Sequence, residues 1–365
     1  MLHVRKTLLT AVAAMCLTAC SSGGTHAPEG TLGILEAAVE SGRFLYAHQD
    51  DLCYGHTWTH PSDIEGDSIE RSDVFSVCGD YPAIVGFDLG GIELGNSRNL
   101  DGVDFRFMRR AAMEHIARGG IVTFSWHPRN PLTGGDTWDV SSDRVVASII
   151  EGGENEAEFG LWLDRVAGFL SSIKNPDGSQ AQVIFRPWHE HMGGWFWWGA
   201  DLCTKEEYIA LWDRTFDCIN GKFGLNDVIW AYSPNADVDK DGYMERYPGD
   251  SIIDLMGMDL YQYSDSRSYI RQMKNRLGYL TELGQEHGKT IIVSETGYEG
   301  IRDAEWWTKT LYEAVRDFPV AYVLTWRNAW DRPEHFFGPY PEADCEEDFR
   351  AFHSLDKTIF LKDLK

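Results

Sequence analysis

A chain of 365 residues that is 43% hydrophobic and 13% aromatic can bury a large core and lies far from the composition of disordered segments. Its formal net charge of −24 excludes charge-driven binding to nucleic acid or anionic lipid and suits a neutral or cationic substrate.

The N-terminus, MLHVRKTLLTAVAAMCLTAC, places Arg5 and Lys6 before an uncharged, largely apolar run, Leu8 to Ala19. That run is too short to remain in a bilayer as a spanning helix, so residues 1–19 are expected to be a signal peptide. Its end, Leu17-Thr18-Ala19-Cys20, resembles the lipobox of bacterial lipoproteins. The resemblance implies a lipid on Cys20 and an anchor outside the cytoplasm, in the outer membrane, facing surface or periplasm. Residues 20–33 then read as lipidated cysteine and flexible tether, and 34–365 as a single domain. Removing residues 1–19 takes away two bases and no acid, which moves the charge to −26.

Eight β-rich apolar runs follow: 44–49, 83–89, 121–127, 182–190, 228–235, 255–261, 290–297 and 320–330. Helical patterns fill most gaps, at 104–119, 157–173, 204–221, 266–288 and 303–319. Apolar strands alternating with amphipathic helices predict parallel strands covered on both faces and closed into a (β/α)8 TIM barrel, an α/β fold with one catalytic-sized domain.

The tails of these runs carry His48, Gln49, Asp88, Trp126, His127, His189, Glu190, Asn235, Asp259, Tyr261, Glu295, Trp326, Arg327 and Asn328. In such a barrel the strand ends form the face that carries active sites. Glu190 and Glu295 follow strands four and seven, which lie three apart around the ring and can face each other. Two carboxyls at roughly 5 Å are the geometry of a retaining glycosidase: one attacks the sugar, the other is acid and then base. Strand alternation sends Arg186, Trp188 and Glu190 to one side, the barrel interior. There Arg186 needs an anion, and pairing with Glu295 keeps that residue ionised as the nucleophile. Glu190, against aromatic surface, stays protonated as the acid.

The segments RPWHE and GGWFWWG between 186 and 199, SETG at 294–297, YPGDSIIDLMGMDLY at 247–261, LTWRNAW at 324–330, HQDD at 48–51 and DLGGIE at 88–93 together resemble glycoside hydrolase family 26, the β-mannanases. The resemblance spans nearly the whole mature chain. It implies a barrel that cuts β-1,4-mannans with retention, with Glu190 as acid/base and Glu295 as nucleophile. It further implies Tyr261 as hydrogen-bond partner of the nucleophile and Trp326 as platform under the sugar at the cleavage point. Trp195 would stack on the leaving-group sugar, His127 and Arg327 would hold sugars on the non-reducing side, and His189 takes a position that is asparagine in many related barrels. Sugar faces pack on aromatic planes, so Trp195, Trp197 and Trp198 are candidates for a floor beside the acid, with Trp195 as contact and one of the other two in the core.

No cofactor or metal is expected. His189-Glu190-His191 lacks the spacing of a zinc-protease helix, and the stretch Asp237 to Glu245 imitates a calcium loop whose twelfth position is Pro248 rather than Glu, so a solvated acidic loop is expected. The mature cysteines besides Cys20 are Cys53, Cys78, Cys203, Cys218 and Cys345, an odd set with no zinc-site spacing; Cys53–Cys78 and then Cys203–Cys218 are candidate disulfides, with buried free thiols as the alternative. Two functional alternatives stand beside mannan hydrolysis. One is the same chemistry on β-1,3-xylan or mixed-linkage β-glucan. The other is a glycan-binding lipoprotein without activity, which has no need of two facing carboxyls. The loop PRNPLTGGDTWDVSSD at 128–143 is placed to close one end of a cleft or leave it open.

Overall fold

The computed structural model describes residues 30–60, 69–236 and 238–365. The signal peptide, Cys20 and Asp237 lie outside the described residues.

Eight parallel strands form the barrel: β1 Phe44–Gln49, β2 Ile84–Asp88, β3 Ile121–Ser125, β4 Val183–Arg186, β5 Val228–Tyr232, β6 Leu255–Tyr261, β7 Thr290–Gly297 and β8 Val320–Thr325. Each pairs with the next, and β8 pairs back to β1 through Leu45 opposite Tyr322, which closes the ring. The expected (β/α)8 architecture is therefore present, with five strands shorter than their apolar runs. Beyond Ser125, Arg186, Tyr232 and Thr325 the chain leaves the ladder to build the open face.

Strand alternation separates two cores. Leu45, Ala47, Ile84, Ile121, Ile184, Ile229, Leu255 and Ile292 fill the barrel, whereas Phe44, Tyr46, Val85, Phe87 and Phe185 face the surrounding helices. The outer layer includes Phe105–Ala117, Glu156–Ser171, Lys205–Phe216 and Ser266–His287, all anticipated from helical periodicity. Local chemistry sets their ends. Thr204 and Glu207 form a reciprocal capping box, Asp104 and Asp265 accept backbone N–H groups at two other starts, and Gly288 closes the longest helix with φ 65°.

Four expectations need correction. The segment read as tether ends earlier, because Gly30–Glu40 is a helix; the Thr31 N–H donates to Gln182 at 2.7 Å, and Leu35 and Ala38 cap the bottom of the barrel core. Lys240–Glu245 is a short helix rather than a loop, capped by Asp239 accepting from the Gly242 N–H. The predicted helix at 303–319 is a π-helical turn, Trp307–Leu311, running into Tyr312–Val315. Neither candidate disulfide forms: all five described cysteines are free. Their thiols turn to separate partners, Cys78 to the Val74 carbonyl, Cys203 to the Trp198 carbonyl and Cys218 to Asp164.

Candidate active site

Arg186, the last residue of β4, points into the mouth of the barrel and is 2% exposed. It donates to Ser233 at 3.0 Å, to Asp259 at 3.1 Å and to Oε1 of Glu295. A guanidinium fork buried between two carboxylates satisfies the need of each for a counter-charge. The second oxygen of Glu295 accepts the Tyr261 hydroxyl at 2.7 Å. Glu295 is thereby fixed at both oxygens, from β4 and from β6. Asp259 is braced by the Ser294 hydroxyl at 2.7 Å.

Glu190 reaches the same place by another route than strand alternation. Trp188 and Glu190 have left-handed backbone, φ 56° and 48°, immediately beyond β4. That conformation is unusual for residues with a Cβ and turns the chain out of the ladder. As a result Trp188 does not face the barrel interior: it packs outward against Trp126, Trp197 and Trp198 and donates to Thr215. Glu190 instead swings over the mouth, its N–H held by the Ser233 carbonyl at 3.0 Å. Carboxylate oxygens of Glu190, Asp259 and Glu295 all lie within 4.8 Å of one another. Burial pushes the Glu190 carboxyl well above its usual range, and the negative charges of Glu295 and Asp259 add to the effect.

This trio is the one group of three metal-type ligands found among the described residues. Arg186 already supplies positive charge to two of its members.

Residues 44–307 match the model of glycosyl hydrolase family 26. The chain belongs to that family. It is 46% identical to a family 26 β-mannanase from Bacteroides ovatus, covering 90% of this chain and 94% of that one with a TM-score of 0.86. Among curated proteins it is 29% identical to a mannan endo-1,4-beta-mannosidase of Bifidobacterium adolescentis over 85% of this chain, and 28% identical to one of Bacillus subtilis over 72%. The chain spans 33% of the Bifidobacterium protein's length and 70% of the Bacillus protein's.

The remaining candidates of this family 26 chain flank the carboxylates. His127 follows β3 and is joined through Nδ1 to Asp88 at 2.6 Å; its Nε2 meets Nε2 of His189 at 3.0 Å. Burial disfavours the charged form of His127, but the Asp88 carboxylate outweighs it and raises the imidazole above its ordinary value. His189 is driven well below, first by burial and then by Arg186 and His127. Trp326 follows β8, half-buried, with its ring 6.2 Å from that of His127. Arg327 pairs with Asp101 at 3.1 Å and touches the Tyr54 hydroxyl at 3.4 Å.

The aromatic segment divides differently from expectation. Trp195 is 38% exposed, and its indole N–H donates to Glu190. Trp197 and Trp198 are both fully buried, so neither forms a floor beside the acid. Their N–H groups bind the Pro128 and His189 carbonyls and brace the backbone that carries the site.

Two chambers open on either side of the carboxylates. One of about 520 Å³ is lined by Glu190, Trp195, Tyr261 and Tyr263. The other, about 680 Å³, is lined by Asp88, His127, Trp326 and Arg327. Trp138, from the 128–143 loop, lines both. Sequence reasoning placed Asp88 and Asp259 at strand ends but missed their partnerships, and missed Asp101, Tyr54 and Trp138 altogether. A tryptophan in a Gly- and Asp-rich loop was the only signal for Trp138, since loops expose aromatics mainly for recognition.

Proposed function

We propose that the protein hydrolyses β-1,4-mannosidic bonds in mannan, galactomannan or glucomannan with retention of configuration. The observation that carries this reading is the approach of Glu190 and Glu295 to within 4.8 Å, too close for a water between them and suited to direct attack on the sugar. Membership of family 26 and the β-mannanase relatives support the substrate class.

Glu295 is the nucleophile: Arg186 and Tyr261 hold its two oxygens, so its carboxyl group is presented in a fixed orientation. Glu190, whose carboxyl is pushed up by burial and by the charge of Glu295, gives its proton to the glycosidic oxygen as the mannosyl–Glu295 ester forms. It then removes a proton from the water that cleaves the ester. Trp195 orients the acid and offers its exposed face to the leaving-group sugar. Trp326, His127 and Arg327 take the sugars on the non-reducing side, with His189 positioning His127.

Linear mannan, galactomannan, mixed-linkage glucan and β-1,3-xylan offered side by side test the substrate, with NMR of the first anomer released testing retention. Cleavage of another glycan alone, or of none, overturns the mannan reading. We further propose export and lipid anchoring at Cys20, which rests on the N-terminal sequence; labelled palmitate incorporated by the wild type and lost in Cys20→Ala tests it.

A further inference from the structure

Asp50 follows β1 directly and takes left-handed backbone, φ 57°. Its carbonyl accepts the Cys53 N–H at 2.8 Å and the Tyr54 N–H at 3.2 Å, so the chain folds back on itself. The turn brings the Tyr54 hydroxyl to 2.8 Å from Oδ2 of the Asp50 carboxyl, which is fully buried. The same hydroxyl lies 3.3 Å from Oδ2 of Asp101, whose other oxygen pairs with Arg327 at 3.1 Å. Nη1 of Arg327 completes the group at 3.4 Å from that hydroxyl. Asp88, itself paired with His127, and the Cys53 thiol also face Asp50.

Buried carboxylates elsewhere in the chain collect donors. Asp73 takes three, the Trp58 indole at 2.6 Å, the His56 N–H at 2.6 Å and the Asn328 amide at 2.9 Å. Asp88 takes the Ser125 hydroxyl, the Gly90 N–H and His127. Among the described residues Asp50 has only the Tyr54 hydroxyl, and its Oδ1 meets no donor. A hydroxyl carries one hydrogen and two lone pairs, so Tyr54 cannot donate to Asp50 and Asp101 together. Two ionised carboxylates would also share the single guanidinium of Arg327, and like charges so close in a buried site do not both persist.

We propose that Asp50 is an un-ionised carboxylic acid at neutral pH and a positioning residue for Arg327. One proton resolves every bond in the group. Asp50 donates from Oδ2 to the Tyr54 oxygen, Tyr54 donates to Oδ2 of Asp101, and Arg327 fills the second lone pair of Tyr54 while pairing with Oδ1 of Asp101. Asp101 alone then balances Arg327, and the guanidinium is held at the wall of the non-reducing chamber, which both residues line. Burial, and after it the charge of Asp101, push the Asp50 carboxyl well above its usual range, against Tyr54 and Arg327, which favour the ionised form. An ionised Asp50 would compete with the sugar for Arg327. That consequence for substrate rests on the mannan reading above; the protonation state of Asp50 does not.

Infrared difference spectra of the wild type against Asp50→Asn at neutral pH read the proton directly, because the carbonyl band of an un-ionised carboxyl stands apart from the carboxylate band. The wild type is expected to show the un-ionised band; a carboxylate band in its place overturns the proposal. Kinetics on mannotetraose test the positioning, with KM as the readout because it does not depend on how much of the enzyme is folded. Asparagine is neutral and can donate to Tyr54 through its amide, so Asp50→Asn is expected to keep KM within about twofold of the wild type. Asp50→Ala removes the donor and Tyr54→Phe removes the relay. Each is expected to raise KM about tenfold, the scale of one lost hydrogen bond, with kcat changed far less. A KM raised as far by asparagine as by alanine, or left unmoved by both Asp50→Ala and Tyr54→Phe, overturns the positioning role. No turnover of mannotetraose by the wild type overturns the mannan reading instead, and the infrared band still decides the state of Asp50.

Discussion

The indole N–H of Trp195 donates to Oε2 of Glu190 at 3.0 Å, so an exposed aromatic ring is bonded to the carboxyl proposed as the acid. This bond favours the ionised carboxyl, against burial and the charge of Glu295, which together hold the proton on. The acid works protonated, so the rate falls as pH rises through its raised pKa. Trp195→Phe keeps a ring and removes the donor. Its pH profile of kcat/KM is expected to show the alkaline limb at higher pH than the wild type; a limb that stays or moves down refutes the assignment of Glu190 as acid.

The two glutamates are distinguishable by rescue. Glu295→Ala is expected to lower kcat about 10⁴-fold or more, and Glu190→Ala about 10²- to 10⁴-fold, with the fold intact by circular dichroism. With an activated aryl glycoside and azide, Glu190→Ala should release a glycosyl azide of retained configuration. Glu295→Ala should release the inverted one, and NMR of the anomeric centre reads the difference.

Removing Arg186 leaves Asp259 and Glu295 buried without a counter-charge. Arg186→Met is expected to cost about 3–5 kcal/mol of stability by denaturant unfolding. Adding Asp259→Asn should restore part of the loss, because one of the two orphaned charges is then gone.

His127 owes its raised pKa to Asp88, which overcomes burial. Asp88→Asn removes that charge, so the imidazole should lose its proton at lower pH than in the wild type. Titration followed by NMR of the ring nitrogens measures it, and an unchanged or higher midpoint contradicts the pairing.

Trp197 and Trp198 are core, Trp195 is surface. Alanine at either buried position should cost about 3–5 kcal/mol. Trp195→Ala should change unfolding free energy by only about 0.5 kcal/mol while lowering activity on oligosaccharides.

Period-two alternation and helical spacing made the barrel legible, because both report which face of an element is buried. All eight strands lie within or almost within their apolar runs. Glu190 and Glu295 were legible as polar residues directly after buried strands. What misled was extending the strand rule past its end: periodicity carries no warning that the backbone becomes left-handed at Trp188 and Glu190. Glu190 lies over the mouth for a reason the alternation argument did not contain.

The sequence by itself determined the strand order, the two candidate carboxyls and the family resemblance, since each depends on residues close in the chain or on pattern alone. Tertiary structure decided the partnerships: Asp259 with Arg186, Asp88 with His127, Asp101 with Arg327, 73, 39 and 226 positions apart. It also decided which tryptophan faces the cleft and that the five described cysteines stay free. The physical reason is that ion pairing, burial and thiol contact are set by distance in space. Eight strands closing into a ring bring together side chains whose separation along the chain says nothing of their proximity.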